Sequence, residues 1–161
     1  MKIIIKFISF FFILTNISNA DLIKPNPGLK PFEVLMIQLN SLKDNDNPYK
    51  DAGIEQTWEF AHPNNKAITG PLNKFKQMIY GQNYKILISH ENSEVTILKE
   101  TKDMLVYKVI VLTRDKKKYH YVWRVEKILF EGKLKNCWMT VSVSNPKYLG
   151  EVIWIKNWIT F

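Results

Sequence analysis

Residues 104–129 read MLVYKVIVLTRDKKKYHYVWRVEKIL, and this stretch is the clearest indication of the fold. Met104 to Thr113 is rich in β-branched and aromatic residues, which favour strands. From Tyr119 to Leu129, large apolar residues alternate with polar ones at the two-residue period of a half-buried strand. The charged run from Arg114 to Lys118 separates the two halves. The stretch therefore predicts a β-hairpin with a solvated tip.

Similar alternating patterns lie on both sides of this hairpin. Tyr84, Ile86 and Ile88 predict one short strand, and Val95 to Lys99 predicts another. Asn136 to Ser144 predicts the last clear strand, which Asn145-Pro146 ends. The second half of the chain is therefore expected to form a run of antiparallel strands.

Before Tyr84 the apolar residues recur at helical spacing instead. Pro31 to Lys43 predicts an amphipathic helix, and Ile54 to Ala61 predicts a shorter helix that ends at His62. After a loop through residues 66–70, Leu72 to Tyr80 predicts a third helix. Helices followed by a separate run of strands indicate an α+β fold, with N-terminal helices packed on an antiparallel sheet.

The first twenty residues have the order of charged, apolar and small residues that is typical of an export signal. Lys2 and Lys6 precede the apolar run Phe7 to Leu14, and Ser18 and Ala20 stand before the expected cleavage point. The apolar run is shorter than the ~20 residues that span a membrane. We therefore predict a cleaved signal peptide over residues 1–20 and no transmembrane anchor after cleavage. The mature protein is expected to be exported, to the periplasm or outside a bacterium, or along the secretory route or to a plastid in a eukaryote.

The remaining chain has the length of one domain. We predict an extended lead-in over residues 21–30, a single α+β domain over 31–146 and an apolar C-terminal tail over 147–161. The tail is rich in tryptophan and isoleucine, and three structures stay open for it: an edge strand, a helix packed on the sheet, or an interfacial contact.

Composition narrows the set of partners. The formal net charge of the 161-residue chain is +8, but basic residues do not cluster with aromatic ones, so no nucleic-acid partner is predicted. Cys137 is the single cysteine, which excludes an intramolecular disulfide. It lies in the apolar run Cys137-Trp138-Met139, where a buried thiol is expected.

The segment from Phe32 to Ser144 resembles the family called domain of unknown function 4864. The resemblance rests on Pro31 to Val34, Gln38-Leu39, Leu42, Asn45-Asp46, Asp51 to Trp58, Phe60 to Pro63, Asn65-Lys66, Thr69 to Leu72, Phe75, Met78, Tyr84, His90, Val95 and Cys137 to Thr140. It implies the cystatin-like, nuclear transport factor 2-like superfamily, in which helices pack into the concave face of a curved antiparallel sheet to form a cone. It implies no activity, because that superfamily hosts enzymes, binding modules and oligomerisation domains.

Two residues are candidates for catalysis. Glu55 precedes His62 by seven residues, about two helical turns, so the two side chains could share one face of a helix. A carboxylate and an imidazole in the mouth of the cone could act as an acid/base pair. The alternative for His62 is a structural role in capping a helix C-terminus.

The candidates for ligand binding are Trp58, His62, His90 and Trp138. Packing in the core is the alternative for the tryptophans, since large aromatic side chains dominate protein cores. The spacing of the histidines follows no metal-binding motif, so neither a metal site nor a cofactor is predicted.

Two functions therefore stay open. The first is a non-catalytic module that binds a small apolar ligand in the cone or a protein partner, with a homodimer through the open sheet face as one form of the latter. The second is a small-molecule isomerase, dehydratase or hydrolase that uses an acid/base pair in the cone pocket.

Overall fold

One curved antiparallel sheet carries helices on one face in the described part of the chain, which is residues 21–152 of a computed structural model. The helices come first: α1 (Pro31–Lys43), α2 (Ala52–Glu59), α3 (Pro63–Thr69), α4 (Leu72–Tyr80) and a single 3-10 turn (Lys85–Leu87). The strands follow: β1 (Asn92–Glu100), β2 (Met104–Leu112), β3 (Lys117–Lys127), β4 (Trp138–Val143) and β5 (Lys147–Glu151). The predicted α+β fold is confirmed. The predicted signal peptide and residues 153–161 of the predicted tail lie outside the described residues.

The hairpin predicted from residues 104–129 is formed by β2 and β3. Tyr107 pairs with Trp123 and Val109 pairs with Tyr121, and all four side chains are buried. The residues between them on each strand are half-buried or exposed on the other face of the sheet. The two-residue period in the sequence therefore corresponds to one face that packs on the helices and one outer face.

β3 is paired along its length on both sides. β2 and β1 continue the sheet on one side, whereas β4 and β5 share the other side of β3. The break between β4 and β5 is bridged by Ser144, whose backbone N–H donates to the Val122 carbonyl at 2.9 Å and whose hydroxyl accepts from the Val122 N–H at 2.8 Å. The sheet therefore extends to Glu151, and residues 147–151 of the predicted tail form an edge strand.

α1 and α2 pack closely because glycine occupies position 53. A Cβ atom there would lie 1.9 Å from the Ser41 carbonyl oxygen of α1. The Gly53 N–H donates to the Asn45 carbonyl at 2.8 Å, and the Asn45 side chain accepts from the Ile54 N–H at 3.1 Å. Asn45 thus satisfies two of the N–H groups that a helix N-terminus leaves unpaired.

The structure corrects the prediction for residues 59–70. α2 ends at Glu59, and the segment predicted as a helix end and a loop forms α3 instead. Pro63 is suited to the first turn of a helix, and the His62 side chain caps that turn. No residue of α3 is buried, so the apolar spacing that reveals a helix is absent from its sequence.

The strand predicted at Tyr84, Ile86 and Ile88 is also wrong. This segment forms the 3-10 turn, in which the Leu87 N–H donates to the Tyr84 carbonyl at 2.9 Å and the Ile88 N–H to the Lys85 carbonyl at 3.0 Å. Leu87 is buried in the core. The backbone groups are therefore satisfied within the turn rather than by a neighbouring strand.

Helices and sheet enclose a common core. A single cluster of buried side chains includes Leu35 and Leu39 of α1, Phe75 of α4 and Tyr121 and Trp123 of β3. The outer face of the sheet carries no helix among residues 21–152, and the homodimer expected through that face stays a prediction.

Candidate functional site

A cavity of about 280 Å³ lies where the four helices meet β4. Its inner walls are mainly apolar, and its mouth lies beside α3, where Ile68 and Asn64 are exposed. The lining residues are Gln38, Leu42, Thr57, Ala61, Asn64, Asn65, Ile68, Thr69, Phe75, Met78, Ile79, Tyr84, Leu87, Trp123, Thr140, Val141, Ser142 and Val143. The volume is at the lower end of the ~300–1,000 Å³ typical of small-molecule pockets.

Buried polar groups in the cavity wall hydrogen-bond to one another. The Trp123 indole N–H donates to the Thr140 hydroxyl at 2.9 Å, and that hydroxyl donates to the Gln38 side-chain carbonyl at 2.5 Å. The Gln38 amide donates to the Thr57 backbone carbonyl at 3.0 Å. This chain joins β3, β4, α1 and α2 behind the cavity, and we call it the Gln38–Thr140–Trp123 network. Because buried polar groups are costly when unpaired, the network helps to define how the helices sit on the sheet.

α3 is positioned over the mouth by contacts with β4. The His62 backbone N–H donates to the Thr140 carbonyl at 2.8 Å, and the Asn65 amide lies 3.4 Å from the same oxygen. The Thr69 hydroxyl donates to the Asn65 backbone carbonyl at 2.8 Å. Ile68, which is 75% exposed, projects at the rim. A short helix with no buried residue is thus fixed mainly through backbone contacts and Asn65.

The lining carries no formal charge. Among the described residues that line the cavity, none is a carboxylate, a histidine, a lysine or an arginine. The Tyr84 hydroxyl donates to the Val143 carbonyl at 3.0 Å, and burial raises the pKa of Tyr84 above its usual value. The cavity wall is therefore neutral at physiological pH.

His62 lies beside the cavity but does not line it. Its Nδ1 accepts from the Asn64 N–H at 3.0 Å, which makes it the N-cap of α3 rather than the expected C-cap of α2. Burial lowers the pKa of His62, while the more distant Glu126 acts in the opposite direction. The ring also meets Phe130 edge-on, with 6.3 Å between the ring centroids. A neutral, accepting imidazole at the positive end of a helix dipole is the favoured form.

Glu55 has other partners. It accepts from the Tyr49 hydroxyl at 2.9 Å and pairs with Lys76 at 2.8 Å, and Lys76 also lies 3.4 Å from Asp51. The Tyr80 hydroxyl donates to Asp51 in the same cluster. Glu55 therefore links α2 to α4 through an ion pair, and the structure does not bring it together with His62 at the cavity.

The other predicted ligand-binding residues also pack outside the cavity lining. Trp58 contacts Phe75, with 4.9 Å between the ring centroids. The Lys66 ammonium lies 5.2 Å from the centroid of the Trp58 ring. Trp138 is buried, with the Lys127 ammonium 5.0 Å from its ring. The buried His90 lies with Nδ1 2.8 Å from the Leu87 carbonyl, and burial lowers the pKa of His90.

The polar residues that line the cavity were not predicted from the sequence. Gln38, Thr140, Asn64, Asn65 and Ser142 were not selected as site residues, although Gln38 carried a usable signal. It lies on the buried stripe of α1 between Leu35 and Leu42, where a polar side chain requires a buried partner.

Several features of the described residues bear on other kinds of site. No group of three or more histidine, cysteine, aspartate or glutamate side chains in residues 21–152 could hold a metal ion. Burial raises the pKa of the Cys137 thiol, which therefore stays protonated. No helix within the same range is long and apolar enough to cross a membrane.

Comparison of the chain with protein-family models, with curated proteins and with solved structures finds no match in any of the three. The resemblance to the domain of unknown function 4864 family therefore stays a prediction, as does the expected export signal.

Proposed function

We propose that this protein is a non-catalytic binding module that holds a small apolar ligand in the cavity between the helices and β4. The observation that carries the proposal is the lining itself: a cavity of about 280 Å³ with mainly apolar walls and an exposed mouth. Burial of apolar surface is the main favourable term in such binding, at roughly 25 cal/mol per Å². A cavity that a ligand fills also regains the dispersion contacts that its wall lacks when empty.

The lining has no carboxylate, histidine or lysine, and its tyrosine, Tyr84, donates to the Val143 carbonyl, which favours a module over an enzyme. General acid–base catalysis needs a titratable group within hydrogen-bond reach of the reacting atom. Glu55 is held in an ion pair with Lys76, and the His62 nitrogen Nδ1 is occupied by the Asn64 N–H. The remaining polar groups of the inner wall, in the Gln38–Thr140–Trp123 network, hydrogen-bond to one another. No observation among the described residues favours the isomerase, dehydratase or hydrolase alternative.

The proposal can be tested with N-phenyl-1-naphthylamine, a neutral apolar fluorophore whose emission rises in apolar surroundings. We expect saturable binding to the purified chain. Val141→Phe places extra volume in the cavity and should abolish this binding, whereas Val106→Phe adds the same volume on the outer face of β2. Both valines are half-buried, which makes the two variants a matched pair.

Circular dichroism confirms that both variants fold before they are compared. Binding that is absent from the native chain would contradict the proposal. Equal binding by Val141→Phe and Val106→Phe would place the fluorophore elsewhere and would contradict it as well.

A further inference from the structure

We infer that the ligand is a small uncharged molecule with an apolar body and one hydrogen-bonding head group, which lies at the mouth beside Asn64. This inference rests on the proposed function, because it names the class of molecule that the same cavity would take. It follows from the different chemistry of the inner wall, the mouth and the surrounding charges.

The hydrogen-bonding side chains of the inner wall are already paired with other groups of the protein. The Thr140 hydroxyl both accepts from Trp123 and donates to Gln38, and the Gln38 amide donates to the Thr57 carbonyl. The Thr57 hydroxyl donates in turn to the Gly53 carbonyl at 2.8 Å. A polar ligand atom placed against this wall would compete with these bonds, and the loss of a buried hydrogen bond is unfavourable. The inner end of the ligand is therefore apolar.

The mouth has the opposite character. Asn64 on α3 lines the cavity and is exposed. Its side chain takes part in no hydrogen bond within residues 21–152, whereas its backbone N–H is held by His62. A side-chain amide can both donate and accept, so a hydroxyl, carbonyl or amide head group suits it.

The charges around the cavity disfavour an ionised ligand. No charged side chain lines the cavity, so a carboxylate head group would have no counter-ion within the lining. The ammonium groups nearest to α3 already have partners: that of Lys66 lies over the Trp58 ring and 3.4 Å from the Glu59 carbonyl, and that of Lys74 donates to the Ile68 carbonyl at 3.2 Å. A charge that leaves water without a partner is strongly disfavoured. The neutral form of an amphiphile is therefore preferred over its acid.

The volume sets the size of the apolar body. A cavity of about 280 Å³ is at the lower end of small-molecule pockets, so the apolar body is small. A straight nine-carbon chain is a suitable test body, with its head group at the rim.

The test compares 1-nonanol, nonanamide and nonanoate, which share one chain and differ in the head group, by isothermal titration calorimetry at about pH 8, where the acid is ionised. We expect the alcohol and the amide to bind at least about tenfold more tightly than the carboxylate. Equal or tighter binding of nonanoate would overturn the inference. It would also be overturned if none of the three bound to a chain that binds N-phenyl-1-naphthylamine.

Ile68→Lys adds a cation to the cavity lining at the rim, and its position is 75% exposed, so the fold should tolerate the change. Ala67→Lys on the same helix is the matched control, because Ala67 is exposed and does not line the cavity. We expect Ile68→Lys to tighten nonanoate binding and Ala67→Lys to leave the order of the three molecules unchanged. If Ile68→Lys binds nonanoate as weakly as the native chain does, the head group does not lie at the rim.

The two proposals fail in different ways. Loss of saturable N-phenyl-1-naphthylamine binding removes the proposed function and the ligand class together. If Val141→Phe blocks fluorophore binding but the native chain prefers nonanoate, the ligand class is wrong and the proposed function stands.

Discussion

Replacing Thr140 with valine removes one hydroxyl from the Gln38–Thr140–Trp123 network and keeps the shape of the side chain. In the native chain this hydroxyl accepts from the Trp123 indole at 2.9 Å and donates to the Gln38 carbonyl at 2.5 Å. All three residues are at most 2% exposed. Thr140→Val therefore leaves one buried donor and one buried acceptor without a partner.

The size of the effect follows from these two groups. Leaving a buried polar group unsatisfied costs about 1–3 kcal/mol, so two such groups give a loss of about 2–6 kcal/mol in the free energy of unfolding. Water that enters the adjoining cavity can satisfy part of this loss, which favours the lower half of the range. We expect about 3 kcal/mol, a large share of the 5–15 kcal/mol that is typical of a domain.

The assay is urea unfolding followed by tryptophan fluorescence and circular dichroism. Thr140→Ser is the control, since it keeps the hydroxyl and loses one methyl group, at a cost of about 1 kcal/mol. The midpoint should fall further for the valine variant while the denaturant slope stays constant. The reasoning is refuted if Thr140→Val is as stable as Thr140→Ser.

Three other predictions concern stability. Gly53→Ala should cost more than about 3 kcal/mol, because the new Cβ would lie 1.9 Å from the Ser41 carbonyl oxygen, whereas Gly28→Ala in the lead-in should stay within about 0.5 kcal/mol in the same unfolding assay. Burial lowers the pKa of His62, so the unfolded chain binds a proton that the native chain does not, and stability is lost as the pH falls below about 6.5. His62→Asn keeps a capping oxygen without a titrating ring, so its midpoint measured between about pH 7 and pH 5 should fall less than that of the native chain. Lys76→Met should cost about 1 kcal/mol or less, and a loss that stays the same in high salt would contradict an electrostatic origin.

The sequence predicts those parts of the fold in which one face of an element is buried. The strands β2 and β3 were predicted because Tyr107, Tyr121 and Trp123 are buried while their neighbours are not. α3 was missed because none of its residues is buried, so its sequence has no helical apolar period. The alternation of Tyr84, Ile86 and Ile88 predicted a strand, but these residues belong to or flank a 3-10 turn. The turn buries Leu87 and leaves Ile86 and Ile88 half-buried on either side of it, so the apolar pattern does not reflect one buried face.

The candidate site was harder to predict because it depends on contacts between distant residues. Gln38 and Thr140 are 102 positions apart in the chain, and neither suggests a site until the fold brings them together. Glu55 and His62 are close in sequence, but α2 ends between them, so the helical spacing that was expected to align them does not hold. Spacing along a chain is informative only within one regular element.

The stretch from Asp51 to Glu55 has a structural role in this protein. Asp51 adopts a left-handed backbone conformation with φ of 67°, and Gly53 allows α2 to approach α1. Glu55 pairs with Lys76 on α4. These residues hold the helices together.

The division of one sheet edge into β4 and β5 has a consequence for self-association. An uninterrupted edge strand invites pairing with another chain and is a route to aggregation. Here the Thr140 N–H donates to the Phe60 carbonyl and the Thr140 carbonyl accepts from the His62 N–H, so part of the β4 edge is already occupied. Pro146, which has no N–H to donate, then interrupts the row before β5 begins. Among residues 21–152, a second molecule that approached this side would find only short runs of free backbone groups, which disfavours strand addition at this edge.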